Sequence, residues 1–118
     1  MINNLHLSGA NYKIEAGFRH YVSKRLGKLD RYLPRGHKKD AVLKVVVAEV
    51  DRAHGNKYEL SAALEIPGGE VLAAKDEASN VFAGVDILEA KLMGQIRRFK
   101  TEKINREQKS VLRRLFRR

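Results

Sequence analysis

The sequence of 118 residues has no cysteine, no tryptophan and only two prolines. Without cysteine, neither a disulfide bond nor a thiolate metal site can form, which fits a reducing compartment. No apolar run approaches the roughly 20 residues that a membrane-spanning helix needs, and the N-terminus lacks the basic flank and apolar core of a signal peptide. These absences predict a cytoplasmic protein without a membrane segment, and the length is sufficient for one domain with its own core.

Catalytic and cofactor motifs are missing as well. The four histidines, at positions 6, 20, 37 and 54, show neither an i, i+4 pair nor a partner at metal-ligand spacing. Pro67-Gly68-Gly69 is typical of a hairpin turn and not of a phosphate loop that opens a helix. Asp86 and Glu89 could imitate a catalytic carboxylate pair, but a solvated helix edge that pairs with Lys91 or a neighbour of Met93 is the more ordinary interpretation. We therefore expect no enzymatic activity, metal, cofactor or small-molecule substrate.

Basic residues outnumber acidic ones, 24 to 14, and the excess is unevenly distributed. Residues 91–118 hold eleven Lys and Arg against two Glu, residues 12–40 hold nine basic and three acidic side chains, and residues 41–90 hold four and nine. Globular surfaces usually mix the two signs, whereas long segments of one sign favour association with phosphate-rich polymers or anionic membranes. The distribution therefore indicates an anionic partner.

Hydrophobic periodicity predicts an α+β fold. The predicted elements, in order, are a short strand that stops at Ser8-Gly9, a helix over 12–33, strands within 40–50, 57–66 and 70–75, and a helix that begins within 76–79. Pro34 and Gly36 should end the first helix, and Asp76 or Ser79 should cap the second. We expect the order β-α-β-β-β-α, with one parallel crossover and both helices on one face of a four-stranded sheet, whose other face stays wet.

The segment after Lys100 has a weaker pattern. Residues 101–118 could continue the second helix, form a mobile arm, or form a short amphipathic piece in which apolar side chains alternate with arginines. We divide the chain into a domain over 1–103 and a basic tail over 104–118. The tail side chains that we expect to contact RNA are Arg106, Lys109, Arg113, Arg114, Arg117 and Arg118.

Two helical ridges of cations are the candidate binding surface. On the second helix Lys91, Gln95 and Arg98 follow the i, i+4, i+7 spacing about 100° from the apolar stripe, free to meet phosphates. On the first helix Lys24, Lys28 and Arg31 repeat that spacing. Three more cations lie close to these ridges: Arg25, Arg97 and Lys100. Arginine suits bidentate phosphate contacts, so the paired ridges predict phosphate binding that reads backbone and shape and not sequence.

The aromatic residues are predicted to pack in the core and not to stack on bases. They lie on the apolar faces of the predicted elements or border them: Phe18, Tyr21, Tyr32, Tyr58, Phe82 and Phe99. The wet side of the third strand carries Glu59 and Glu65, which would repel RNA. Nucleic acid should therefore bind on the helical side.

Over about residues 2–103 the chain resembles the ribosome hibernation-promoting factor and ribosome-associated translation inhibitor family, short form (sigma-54 modulation protein-like). The residues that carry the resemblance are Gly9, Ile14, Phe18-Arg19, Tyr21-Val22, Arg25 to Tyr32, Asn80-Val81-Phe82-Ala83-Gly84-Val85-Asp86, Lys91-Leu92 and Gln95 to Lys100. No single motif is diagnostic, but their common order makes the resemblance fairly specific.

The resemblance implies a cytoplasmic protein that inserts into the decoding region of the small ribosomal subunit, where messenger and transfer RNA would pass. Binding to 16S-type rRNA of 70S-type ribosomes would inhibit translation in stress or stationary phase, with no reaction catalysed. The implied contacts are Arg25, Lys28, Arg31, Lys91, Arg97, Arg98 and Lys100. Long members add a second domain that joins two ribosomes, so we expect this sequence to be a monomer off the ribosome and not to pair ribosomes by itself.

Two other interpretations remain open at this point. A general double-stranded-RNA binding module has a related topology, but it grips phosphates with basic residues at the N-terminus of its second helix, where this sequence is expected to place Asp76-Glu77. A membrane-surface protein could instead be held by the arginine-rich tail.

Overall fold

A computed structural model describes residues 2–33, 40–50 and 57–116, without the side chains of residues 103–112, 114 and 116. Its elements are β1 (Asn4–Ala10), α1 (Ala16–Leu26), a 3₁₀ segment (Gly27–Tyr32), β2 (Val42–Glu49), β3 (Tyr58–Ile66), β4 (Glu70–Ala78) and α2 (Val81–Phe116). The predicted order of strands and helices is confirmed.

The four strands form one sheet in the order β1-β2-β3-β4. β1 pairs with β2 in parallel, and the other two pairs are antiparallel. The hairpin between β3 and β4 turns at Gly68 and Gly69, whose φ angles of 105° and 97° lie in the left-handed region that glycine adopts without a steric penalty. The turn predicted from these glycines is therefore confirmed.

Both helices cover the same face of the sheet. Alternate residues of the strands point to this face, and Phe18, Val22 and Leu26 of α1 meet them in a single core with the stripe of α2. The α2 side chains in that core are Val81, Val85, Leu88, Leu92, Ile96 and Phe99. Each fully buried large apolar side chain stabilises the fold by about 1.5–3 kcal/mol, so this shared core fixes where both helices lie.

The boundaries of α1 differ from the prediction. The helix begins at Ala16 and not at residue 12, because the chain first has to turn away from β1, and Asn11 does so with a φ of 54°. Residues 27–32 are wound more tightly as the 3₁₀ segment, a common ending for an α-helix. The predicted stop at Pro34 and Gly36 lies outside the described residues.

Strand pairing also shifts two other boundaries. β1 continues through Ser8-Gly9 because Ala10 still pairs with Ala48 of β2. β4 extends to Ala78, which pairs with Tyr58, so Asp76-Glu77 belong to the strand and no acidic residue lies in the first turn of α2. Asn80 caps α2 instead, since its Oδ1 accepts a hydrogen bond from the backbone N–H of Phe82 at 2.8 Å.

α2 continues well past Phe99, the last of its described side chains that is buried. Phe99 is buried, whereas residues 100–116 extend the helix by about 25 Å. Of the three alternatives for the tail, the continued helix is therefore the one observed through Phe116. Neither helix in the described ranges has a stretch both long and apolar enough to cross a membrane.

Gly84 lets α2 approach β3 closely. A Cβ atom added at this position would lie 2.6 Å from Cδ1 of Leu60, which is fully buried. Gly94, in the same helix, has nothing within 4 Å of the corresponding position. The two glycines therefore differ in packing while sharing the same helix propensity.

We predict different effects of alanine at the two glycines. Gly94→Ala should raise the free energy of unfolding by about 1 kcal/mol through helix propensity. Gly84→Ala gains the same propensity but overpacks the core, which costs about 1–3 kcal/mol. Urea denaturation followed by circular dichroism should therefore find Gly84→Ala less stable than Gly94→Ala by about 1–3 kcal/mol. Equal stability of the two variants would contradict the close approach of α2 to Leu60.

Candidate nucleic-acid interface

α1 and α2 lie side by side and run in the same direction. Phe82 contacts Phe18 and Tyr21, Asp86 contacts Tyr21 and Arg25, and Glu89 contacts Arg25 and Lys28. Residue numbers therefore increase on both helices from one contact to the next, as parallel helices require. One flank of α1 and the start of the 3₁₀ segment is therefore matched to the flank of α2 that carries residues 82–89.

Aromatic rings connect the end of the sheet to the junction between the helices. Tyr58 of β3 meets Tyr12, Tyr12 meets Phe18, Phe18 meets Phe82, and Phe82 meets Tyr21, all edge to face with centroid distances of 5.1–5.9 Å. Such pairs contribute about 0.5–1.5 kcal/mol beyond their buried area. The predicted packing role is thus supported for Phe18, Tyr21 and Tyr58, and Tyr12 joins them without having been predicted.

Two predicted core rings are nevertheless substantially exposed. Phe82 keeps 43% of its surface exposed and Tyr32 keeps 40%. For Tyr32 the core prediction is wrong, because the 3₁₀ segment changes the direction in which residues 27–32 point. For Phe82 the prediction is only half right, since the ring packs on α1 with one part and meets solvent with another.

A polar network closes the junction between the helices. The Tyr21 hydroxyl donates a hydrogen bond to Asp86 Oδ1 at 2.6 Å, and the Arg25 guanidinium lies 5.4 Å from the centre of the Tyr21 ring. Arg25 pairs with Asp86 at 3.7 Å and with Glu89 at 3.8 Å, and Lys28 pairs with Glu89 at 3.6 Å. Asp86 and Glu89 therefore pair with α1, and the expected partners at Lys91 and near Met93 are wrong, because α1 packs against the flank that carries both acids.

An open groove with a volume of about 720 Å³ runs along α1 and the 3₁₀ segment, and α2 contributes Phe82 to its lining. Gly17, His20, Tyr21 and Phe82 line one end of it, which is largely aromatic. Lys24, Arg25, Lys28 and Arg31 line the other end. The structure thus brings together all four predicted cations of the first ridge. Lys24 and Arg31 make no ion pair with any residue of the described ranges, so their full charge faces the groove.

The second ridge lies elsewhere. The Lys91 ammonium donates a hydrogen bond to the Lys75 carbonyl at 2.7 Å and lies 3.5 Å from Asp76, and the Gln95 amide donates to the Ala73 carbonyl. Both carbonyls belong to the outer edge of β4, which these side chains cover. The expectation that this ridge is free is therefore wrong for Lys91 and Gln95, because α2 packs directly above the edge strand.

The remaining cations of α2 are distributed around the helix. Arg98 lines a shallow groove of about 320 Å³ beside Glu70 and Glu102, on the β4 side. Arg97 and Lys100 are exposed, and neither makes an ion pair within the described ranges. The two predicted ridges therefore do not merge into one surface, since α2 itself separates Lys91 and Arg98 from the groove beside α1.

The tail is described only in part. Arg113 is exposed, and Leu115 keeps 67% of its surface exposed. The other predicted tail contacts lie outside the described side chains: Arg106, Lys109, Arg114, Arg117 and Arg118. Within the described ranges, no group of three or more His, Asp and Glu side chains could hold a metal ion.

The open face of the sheet is nearly neutral. Glu65 pairs with Lys44 at 3.3 Å and Glu59 pairs with Lys75 at 2.8 Å. The predicted repulsion of RNA by these two glutamates is therefore weaker than expected, because neighbouring strands neutralise them. The face also presents no aromatic ring among the side chains lining its shallow depression, which are small or aliphatic apart from the two lysines.

Comparison with known proteins finds a matching family and similar curated proteins. Residues 5–104 match the family described as Sigma 54 modulation protein / S30EA ribosomal protein. A ribosome hibernation promotion factor from Lactococcus lactis subsp. cremoris is 32% identical over 107 residues, which cover 90% of this chain and 54% of that protein. Another from Deinococcus radiodurans is 30% identical over 102 residues, covering 86% and 51%. The chain therefore spans about half the length of these curated relatives.

Solved structures show the same fold. The N-terminal domain of Thermus thermophilus Protein Y superposes with a TM-score of 0.65 at 29% identity, and the match covers 81% of this chain and 98% of that domain. A ribosomal subunit interface protein from Coxiella burnetii has a TM-score of 0.67 at 20% identity, with 83% and 98% covered. The second likeness shows the fold alone.

The Tyr21–Asp86 hydrogen bond makes a prediction about titration. Donation to a carboxylate raises the pKa of the Tyr21 hydroxyl above its ordinary value of 10, because the tyrosinate would lose the bond and face a negative charge. A raised pKa means that the bond stabilises the fold below pH 10 and is lost as the pH rises through the higher value. Asp86→Ala should lower the Tyr21 pKa toward 10.

Tyrosine side-chain NMR during a pH titration would measure this shift. Tyr12 provides an internal control, because its pKa is raised chiefly by burial and should not respond to Asp86→Ala. An unchanged Tyr21 pKa in the variant would show that the hydrogen bond does not form in solution.

Proposed function

The chain belongs to the Sigma 54 modulation protein / S30EA ribosomal protein family, and from this premise we propose that it is a ribosome hibernation factor that binds the small subunit. The curated relatives are named ribosome hibernation promotion factors, which supports ribosome binding and translation regulation as the role. We also propose that it acts in the cytoplasm, that it inhibits translation from its binding site on the small subunit, and that it catalyses no reaction.

The observation that carries the proposal is the groove along α1 and the 3₁₀ segment. Lys24, Arg25, Lys28 and Arg31 converge on one surface about 24 Å long, measured from Gly17 to Arg31 along α1 and the 3₁₀ segment. Four cations on one strip match a phosphate backbone, and the acids that pair with them in the described ranges are Asp86 and Glu89. The strip retains a net positive charge, so it attracts RNA.

The proposed mechanism is competition. The protein occupies 16S-type rRNA in the decoding region, and its body excludes messenger and transfer RNA from the space that they would use. Backbone contacts by arginine and lysine position the protein without reading sequence. No bond is made or broken, so inhibition depends only on occupancy.

The other cations of α2 have secondary roles in this proposal. Arg97 and Lys100 are exposed and lie outside the groove lining, so they would add positive charge without belonging to the site. Lys91 and Arg98 lie on the β4 side, where Lys91 also secures the strand edge. Lys91 and Arg98 would contact either a second strand of rRNA or no RNA, so their contribution to binding should be smaller than that of the groove cations.

One argument against a double-stranded-RNA module falls away, but another observation opposes this alternative. Asp76-Glu77 lie in β4, so they provide no acidic N-terminus of α2 that would exclude it. The match to the ribosome-associated family over residues 5–104 favours the ribosome instead. For the membrane-surface alternative, the described part of the chain offers no observation beyond the exposed Leu115 and Arg113.

We predict that the groove cations control affinity for the small subunit. Lys24→Gln/Arg31→Gln removes two cations that stabilise no ion pair in the described ranges, so the fold should be unaffected. Each charge-assisted bond to phosphate contributes about 1.5–3 kcal/mol, and the affinity should therefore fall at least about tenfold. Co-sedimentation with purified small subunits across a salt series should also show a shallower salt dependence.

A variant with the same loss of charge provides the control. Lys44→Gln/Lys75→Gln removes two cations from the open sheet face and should bind like the wild type. Lys91→Gln/Arg98→Gln should lie between the two. An equal loss of affinity in all three variants would mean that net charge alone drives binding, which would refute the groove as the site. Sedimentation of the protein with anionic vesicles instead of subunits would favour the membrane alternative.

We further predict that the tail adds affinity. Its predicted contacts are Arg106, Lys109, Arg113, Arg114, Arg117 and Arg118, which continue along or follow the exposed end of α2. Deletion of residues 104–118 should weaken binding to the small subunit and flatten its salt dependence, because fewer counterions are released. Affinity and slope identical to those of the full chain would exclude a role of the tail.

A further inference from the structure

We propose that the groove along α1 holds a short single-stranded segment of RNA, with one unpaired base stacked on Phe82, the neighbouring phosphate on Lys24 and a phosphate further along the segment on Arg31. This inference rests on the proposed function, because it states which kind of RNA element that site takes. It assigns to Phe82 and Gly17 a role in binding that packing alone does not require.

The groove has two chemically different ends. At one end Phe82, Tyr21 and Gly17 form an aromatic and apolar surface, and at the other Lys24 and Arg31 present charges that no acid in the described ranges neutralises. A nucleotide has the same two parts, since a flat base is joined to an anionic phosphate. A purely apolar ligand would leave the cations unused, and a simple polyanion would leave the rings uncovered.

Phe82 is available for stacking. Its ring meets Phe18 and Tyr21 edge to face, at centroid distances of 5.6 and 5.1 Å, yet 43% of its surface stays exposed and lines the groove. Two perpendicular neighbours hold the ring in place, so stacking a base on it costs little side-chain entropy. The ring is therefore a fixed platform within the site.

Gly17 keeps the space opposite this platform open. It lies in the first turn of α1 on the groove wall, and a Cβ atom added to it would have nothing within 4 Å. Any large side chain here would extend into the groove. A base can thus occupy the volume that Gly17 leaves, with no rearrangement of either helix.

The geometry favours an unpaired nucleotide over a duplex. Bases within a duplex are stacked on each other, so their faces are not free to stack on the Phe82 ring, and proteins read duplex RNA mainly through phosphates and 2′-hydroxyls. Unpaired bases in loops and bulges have free faces that stack on aromatic side chains. The exposed ring beside cations therefore selects single-stranded or bulged RNA.

Two RNA hairpins with the same stem, one fully paired and one with a single bulged nucleotide, would test the inference by fluorescence anisotropy. The full-length protein should bind the bulged hairpin at least about fivefold more tightly, because stacking one base on an aromatic ring corresponds to roughly 5- to 150-fold in affinity. Phe82→Leu and Gly17→Leu should abolish the preference, the first by removing the ring and the second by filling the space.

Matched variants separate stacking from folding. Phe82→Tyr keeps the ring and Gly17→Ala leaves most of the groove open, so both should keep the preference, and circular dichroism should show all four variants folded. Equal binding of the two hairpins by the wild type, binding of neither, or a preference that survives Gly17→Leu would overturn the inference. Wild-type sedimentation with small subunits would then decide whether the proposed function stands without it.

Discussion

Both helices share one face of a four-stranded sheet, and this constraint determines which charged flanks meet. The buried stripes of α1 and α2 enter a single core with β2, β3 and β4, so the helices must lie next to each other. The close approach at Gly84 fixes the depth of α2 over β3. With both stripes buried, only the flanks remain to interact, and Asp86 and Glu89 then face Arg25 and Lys28. The packing of the hydrophobic core therefore determines which charged side chains of the two helices pair with each other.

The fold could be predicted from the sequence because the spacing of hydrophobic residues and the turn-forming residues indicate the same order of strands and helices. Alternation in β3 and the glycines after Pro67 fixed the hairpin, and the stripe from Val81 to Phe99 fixed α2. The helix starts were less predictable. Acids before α2 look like capping residues, but pairing of Ala78 with Tyr58 extends the strand and leaves the cap to Asn80. Long-range pairing outweighs local preference there.

The lining of the candidate groove could be predicted only in part from the sequence. Spacing identified Lys24, Lys28 and Arg31 as one ridge, and the groove contains all three. Spacing could not show that Lys91 and Gln95 face the edge of β4, because that depends on where α2 lies over the sheet. The sequence analysis also missed Gly17 and the exposed part of Phe82. The available signal was the i, i+4 series of Gly17, Tyr21 and Arg25, whose partner flank was unknown without the fold.

Asp86 and Glu89 pair with two of the groove cations. Whether they would block the proposed RNA contacts depends on how strong these ion pairs are. The pairs of Arg25 and Lys28 with Asp86 and Glu89 span 3.6–3.8 Å on side chains that remain partly exposed, with Arg25 at 43%. Such surface pairs contribute only about 0–1 kcal/mol, whereas a charge-assisted bond to a phosphate contributes about 1.5–3 kcal/mol. A phosphate can therefore recruit these cations from their carboxylates. The carboxylates hold Arg25 and Lys28 at the groove in the free protein, so less order has to be created on binding.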